Sequence, residues 1–269
     1  MRKQWLVFIV MLLASVALWG CGSSRDSSGI TTSSDTDFGS DPVSGQAFVG
    51  ASTCIGCHED FSWSTDAVAN YLAGKHVIHS DHINAASESV CLTCHDPIGD
   101  GGTLESLIDA ANVPAEGLAA VGCENCHGAG GQHYGVGPIP KARPAADTCG
   151  QCHDDQWDTI PEAASHINYH PEGNAIFTDY SASPHAASGD RNEPKCVKCH
   201  TDEGGRTYKD VETATALEAA LPVEGTASAI QCRTCHDPHS DRFYQEERVP
   251  HFWVKATVSE VCLTCHVPR

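Results

Sequence analysis

The sequence predicts a mainly α-helical fold with extensive coil, wrapped around material that its own side chains do not supply. Three observations lead there. Apolar residues make up 41% of the 269-residue chain, but fifteen of them are cysteines, and without these roughly 35% remains, a thin core for this length. Helical signals are present but short: 64–72 stopped by Gly74, 103–111 ahead of Pro114, and 210–221 ahead of Pro222, the last with Val211, Leu217 and Leu221 near one face. No run of alternating apolar and polar residues marks out strands.

At the N-terminus, Arg2 and Lys3 precede an uncharged run from Trp5 to Trp19. Fifteen residues suit the core of a signal peptide better than a membrane span of about 20. Residues 1–20 are therefore expected to be an export signal. Leu18-Trp19-Gly20-Cys21 resembles the lipobox of bacterial lipoproteins, which implies acylation of Cys21 as the mature N-terminus. Gly22 stands where an Asp would, by analogy with enteric bacteria, retain a lipoprotein at the inner membrane, so the outer membrane or cell surface is favoured, with a periplasmic-facing position also open. Residues 21–47 are rich in Ser, Gly, Thr and Asp and read as a flexible linker, reaching roughly 30 Å as a coil. The body is expected over 48–269.

Thirty-five acidic against sixteen basic residues give a formal charge of −19. Such a surface repels polyanions, which argues against nucleic acid as a partner.

The chemistry lies in seven Cys-x-x-Cys-His motifs, numbered in chain order by their thiols and histidine: Cys54, Cys57, His58; Cys91, Cys94, His95; Cys123, Cys126, His127; Cys149, Cys152, His153; Cys196, Cys199, His200; Cys232, Cys235, His236; and Cys262, Cys265, His266. A shuffled chain of this composition would hold about 0.05 such pentapeptides, so chance is no explanation. Two thiols at this spacing add across the two vinyl groups of one haem while the next residue, His, reaches the iron. Zinc knuckles use paired Cys-x-x-Cys units but need no histidine directly after each, and a disulfide framework gives no reason for seven adjacent histidines. Seven covalent haem c groups are the expectation. Motif starts are separated by 37, 32, 26, 47, 36 and 30 residues, so there is no fixed repeat.

These motifs, with Val121 to His133, Ser181 to His185 ahead of Cys196, and Cys232 to His239, resemble the multihaem c-type cytochromes, in particular the cytochrome c554-like and paired C-x-x-C-H families. The resemblance covers residues 48–269 and implies a compact body built around stacked haems. It also implies that His133, His185 and His239 are distal ligands.

Sixteen histidines less seven in motifs leave nine for seven irons: His76, His79, His82, His133, His166, His170, His185, His239 and His251. Both methionines, Met1 and Met11, fall in the export signal, so the His/Met ligation that raises cytochrome potentials is absent from the body. Low-potential bis-histidine haems are expected, with His76, His82, His133, His170, His185, His239 and His251 as the distal set and the surplus inside the clusters 76/79/82 and 166/170.

A domain of this size has a radius of gyration of roughly 18 Å, which puts the centres of seven evenly spread haems roughly 20 Å apart, so their edges must approach closely. The expected function is extracytoplasmic electron transfer along a chain of haems. Partners would be other redox proteins, multihaem cytochromes or a quinol-oxidising complex, and the membrane through the lipid anchor. Two other readings stay open at this point: a reductase of nitrite, hydroxylamine or a sulfur oxyanion at one open haem, and a conductive filament subunit.

Overall fold

Residues i, i+3 and i+4 share one face of a helix, and every motif uses this. A computed structural model describes residues 37–78, 83–133, 138–154, 175–189, 193–220, 227–239 and 258–266. Its helices are α1 (Ala51–His58), α2 (Thr65–Leu72), α3 (Ser89–His95), α4 (Cys123–His127), α5 (Ala146–Gly150), α6 (Ile176–Ser181), α7 (Pro194–His200), α8 (Asp202–Thr207), α9 (Ala214–Glu218), α10 (Cys232–Cys235) and α11 (Val258–Leu263). Seven of the eleven carry a motif. Where the helix stops inside the motif the turn still closes: the amides of His153, His236 and His266 donate to the carbonyls of Cys149, Cys232 and Cys262 at 2.9, 3.0 and 2.8 Å.

The fold is mainly helical with much coil, as the sequence implies. Among the described residues the only β-pairing outside helices that joins two described positions is an isolated bridge between Ser40 and Ala47. That bridge closes a turn in which Asp41 accepts from the amides of Val43 and Ser44. The unit that holds the motifs begins at Phe38, so the last ten residues of the expected linker are folded against themselves.

Two of the three expected helices come out differently. Residues 64–72 form α2 nearly as read. Residues 101–112 instead make two 3₁₀ segments, Gly101–Leu107 and Ala110–Asn112. Asp96 accepts from the Gly101 amide at 3.1 Å and Thr103 donates to the Asp100 carbonyl at 2.7 Å, tightening the turn. Gly101 lies so close to the neighbouring backbone that a Cβ would stand 2.6 Å from Leu118 O and Ala120 N. The third helix shrinks to α9, capped by the Thr213 hydroxyl, which accepts from Ala216 N.

Among the described residues apolar packing is sparse. One cluster joins Ala51, Ile55, Tyr71, Val77, Leu104, Leu118 and Ala120, and a second holds only Val197, Tyr208 and Leu217. Polar groups tie these clusters to the helix ends. The buried Asp100 accepts from the Ala51 amide that opens α1, at 2.8 Å. Gly122 passes directly over this carboxylate, where a Cβ would meet Asp100 Oδ2 at 2.6 Å.

Burial, with the nearby carboxylates of Asp96 and Glu124, pushes Asp100 up to about 6 from 3.8. A carboxyl with a raised folded-state pKa favours the native state most below its unfolded pKa, and that contribution is lost as pH rises through the folded value. Wild type should therefore lose about 3 kcal/mol between about pH 3 and pH 7 relative to Asp100→Asn. Denaturant melts of both proteins at the two pH values measure this difference, and a pH-independent difference would refute it.

Candidate haem centres

Helical spacing brings the two thiols and the imidazole of each motif to one side of their turn. What lies opposite comes from elsewhere in the chain. The rings of His58 and His133 have centroids 6.1 Å apart with planes at 17°. His127 and His239 stand at 6.1 Å and 3°. His76 and His153 are at 6.3 Å and 73°, and His185 and His266 at 6.0 Å and 63°. In each pair one ring belongs to a motif and the other does not.

These separations match one metal ion between two imidazoles. A metal–nitrogen bond is about 2.0–2.1 Å and the ring centre lies about 1.1 Å beyond the nitrogen, so two rings on opposite sides of one ion have centroids about 6 Å apart. The donor set therefore fits a six-coordinate haem iron with two axial histidines. Second contacts fit as well. His127 Nδ1 lies 2.9 Å from the Lys141 carbonyl, which can only accept, so Nδ1 carries the proton and Nε2 keeps its lone pair. A ring nitrogen of His76 bonds the Pro238 backbone. Burial lowers the pKa of His58, His127, His153 and His239, and pushes His76 down to about 4, so these rings are held in the neutral form a metal needs. Phe61 and Trp63 stack on one another at 5.7 Å and meet the His58 ring edge-on.

Four of the seven expected distal histidines, His76, His133, His185 and His239, are thus each brought opposite a motif histidine. None faces the motif nearest to it in sequence. Expected ligands His82, His170 and His251 lie outside the described residues, as do His79 and His166, so the counterparts of His95, His200 and His236 are not among the four pairs. Cys21 also lies outside them.

Sequence reasoning did not pick out the side chains that fasten one motif to another. Glu124, an interior residue of motif 3, accepts from the amides of Val49 (2.9 Å), Gly50 (2.8 Å) and Gly130 (2.7 Å). It thereby clasps the entry to α1. Asp202, just after motif 5, pairs with Arg233 at 2.5 Å and accepts from Thr234 at 2.7 Å, both interior to motif 6. Gln231 accepts from Ala146 N at 2.7 Å, joining the starts of α10 and α5. In the sequence these look like ordinary surface charges and amides.

Thiols of different motifs also meet. Cys54 hydrogen-bonds with Cys123, Cys94 with Cys152, Cys149 with Cys232, and Cys199 with Cys265. In the last three pairs the shared proton lowers one thiol, Cys94 to about 6 and Cys149 and Cys199 to about 7, and raises its partner. Among the described residues no three of His, Cys, Asp and Glu converge as a zinc cage requires, and the fourteen motif cysteines are unbridged.

Thiol pairs and facing imidazoles on short helices define a c-type haem protein with several haems. Family models agree: a doubled CXXCH motif matches residues 225–269, and cytochrome c554 and c-prime matches 148–237. Over 164 residues the chain is 32% identical to the C-type polyheme cytochrome OmcB of Geobacter sulfurreducens, covering 58% of this chain and 20% of that protein. It is 27% identical over 179 residues to OmcC of the same species, covering 57% and 21%. The multiheme cytochrome MtrA of Shewanella baltica is 25% identical over 193 residues, covering 66% and 52%. The chain is a multihaem c-type cytochrome, and haem c is its cofactor. It spans about a fifth of OmcB and OmcC and about half of MtrA. No solved structure matches it.

Glu124→Ala should leave three amides without their acceptor in a largely buried setting, at a cost of about 3 kcal/mol. Denaturant unfolding of the haem-loaded protein measures the loss, and a change below about 0.5 kcal/mol would show that the clasp is not needed.

Proposed function

We propose that the protein is an extracytoplasmic, low-potential electron-transfer cytochrome holding one haem c at each of its seven motifs, with histidine on both axial positions. Bound haem supplies a one-electron iron(II)/iron(III) couple. The four facing imidazole pairs carry this reading. His58 with His133, His127 with His239, His153 with His76, and His266 with His185 close both axial positions at four sites, so no coordination position is left for a substrate there. The remaining three distal ligands are drawn from His82, His170 and His251. Without a thioether beyond Met11, no side chain offers the ligand that raises potentials.

The chain's net charge of −19 makes its surface suited to basic or neutral faces of redox partners and unsuited to nucleic acid. Partners are other multihaem cytochromes or a quinol-oxidising complex. Residues 1–20 act as the export signal, Cys21 carries the lipid, and the linker beyond it holds the body off the outer membrane or cell surface. Among the described residues no helix is long and apolar enough to cross a membrane, and the acyl chains on Cys21 are the proposed anchor.

The oxidised protein should be wholly low-spin, with seven haems adding roughly 4.3 kDa by intact mass. Ring planes set the symmetry of a low-spin iron. The near-parallel pairs 58/133 and 127/239 should give ordinary rhombic EPR signals, and the crossed pairs 76/153 and 185/266 the large-g-max type. His133→Ala should convert one haem to high spin and create a site for cyanide. A native high-spin fraction with turnover of nitrite or hydroxylamine would overturn the carrier assignment.

Cys21→Ser should release a haem-loaded, soluble protein. Retention of this variant in membranes after a high-salt wash would refute the lipid anchor.

A further inference from the structure

Chain order is the simplest arrangement for seven attachment sites, and some contacts follow it. Asp100, shortly after motif 2, holds the start of α1, and Asp202, just after motif 5, holds Arg233 of motif 6. The thiols themselves do otherwise. Cys54 of motif 1 touches Cys123 of motif 3, Cys94 of motif 2 touches Cys152 of motif 4, Cys149 of motif 4 touches Cys232 of motif 6, and Cys199 of motif 5 touches Cys265 of motif 7.

Independent geometry agrees at three of these four contacts. Glu124 of motif 3 clasps the backbone ahead of motif 1, and His133, six residues beyond motif 3, faces His58 of motif 1. Ala146 N donates to Gln231 Oε1 at 2.7 Å, holding the start of motif 4 against motif 6. Cys265 Sγ donates to Lys198 O at 3.5 Å, and His185, ahead of motif 5, faces His266 of motif 7. One ring pair joins two of these pairs: His239, three residues beyond motif 6, faces His127 of motif 3.

Resting on the assignment of one haem to each motif, we propose that the attachment sites are coupled across chain order, in a series 1–3–6–4–2 and a separate pair 5–7. Thioether bonds form at these sulfurs, so sulfurs in contact bring the edges of the two attached macrocycles together. One electron passes at each contact, oxidising the site it leaves and reducing the site it enters, between a one-electron donor and a one-electron acceptor outside the chain. The two ends of the series of five are motif 1, beside Phe61 and the 71%-exposed Trp63, and motif 2.

The test is an NMR experiment on the isotope-labelled, haem-loaded full chain in its fully reduced state, where bis-histidine iron(II) is diamagnetic. Each haem is assigned to its motif through contacts with cysteine β-protons. Cross-peaks between peripheral substituents of haems 1 and 3, 3 and 6, 4 and 6, 2 and 4, and 5 and 7 are expected. Cross-peaks joining 1 to 2 or 5 to 6 in their place, or no cross-peak between 1 and 3, would overturn the order. Fewer than seven diamagnetic haems would count instead against bis-histidine ligation at the missing sites, and the cross-peaks among the others would still decide the order.

Discussion

A ring facing a motif histidine across 6 Å has to be delivered by another part of the chain, and this requirement organises the body. Each motif needs only five consecutive residues and a single helical turn to align its own thiols and imidazole. The opposite ring costs a long-range closure. His133 meets His58 from 75 residues away, His239 meets His127 from 112, His153 meets His76 from 77, and His266 meets His185 from 81. The apolar clusters among the described residues are too small to impose these closures, since the second holds three buried residues. Buried polar clasps do it instead. Glu124, Asp100 and Asp202 each satisfy backbone amides or side chains of a neighbouring motif, and a carboxylate held this way is costly to leave unpaired.

That division of labour explains which parts of the architecture were legible in the sequence. Attachment residues were legible because covalent chemistry fixes their spacing locally. Helical character was legible because the Cys, Cys, His triplet at i, i+3 and i+4 is itself a helical pattern. The four histidines that face a motif histidine were already in the set marked out by counting imidazoles against irons and, for His133, His185 and His239, by the family resemblance. Their partners were not, because nothing in the local sequence of His133 or His185 says that its ring turns to motif 1 or motif 7. The segment 103–111 was misread as an α-helix because its tightening comes from Asp96 and from the backbone of 118–120 pressed against Gly101.

The interior residues of the motifs have a second role that composition hides. In Cys123-Glu-Asn-Cys-His the Glu is a clasp. In Cys232-Arg-Thr-Cys-His the Arg and Thr both reach Asp202. The two x positions lie between the thiols and point away from the face that those thiols share, so they are free to fasten one attachment helix to the next. A body with little hydrocarbon to bury can thus be held together by the same pentapeptides that bind its cofactor. Motif 1, with Ile55 in the first cluster, uses the same position for apolar packing instead.

Sequence order and spatial order part company for a physical reason. Consecutive motifs are 26 to 47 residues apart, ample chain to pass over a neighbour, so connectivity places little constraint on which sulfurs touch. Ligation constrains it more. When the ring that faces motif 1 sits six residues beyond motif 3, both sites must lie within the reach of that short segment, and the same holds for motifs 5 and 7 through His185. On the proposed ligation, the facing histidines fix adjacency as well as coordination. Moving one of them along the chain would exchange neighbours as well as a ligand.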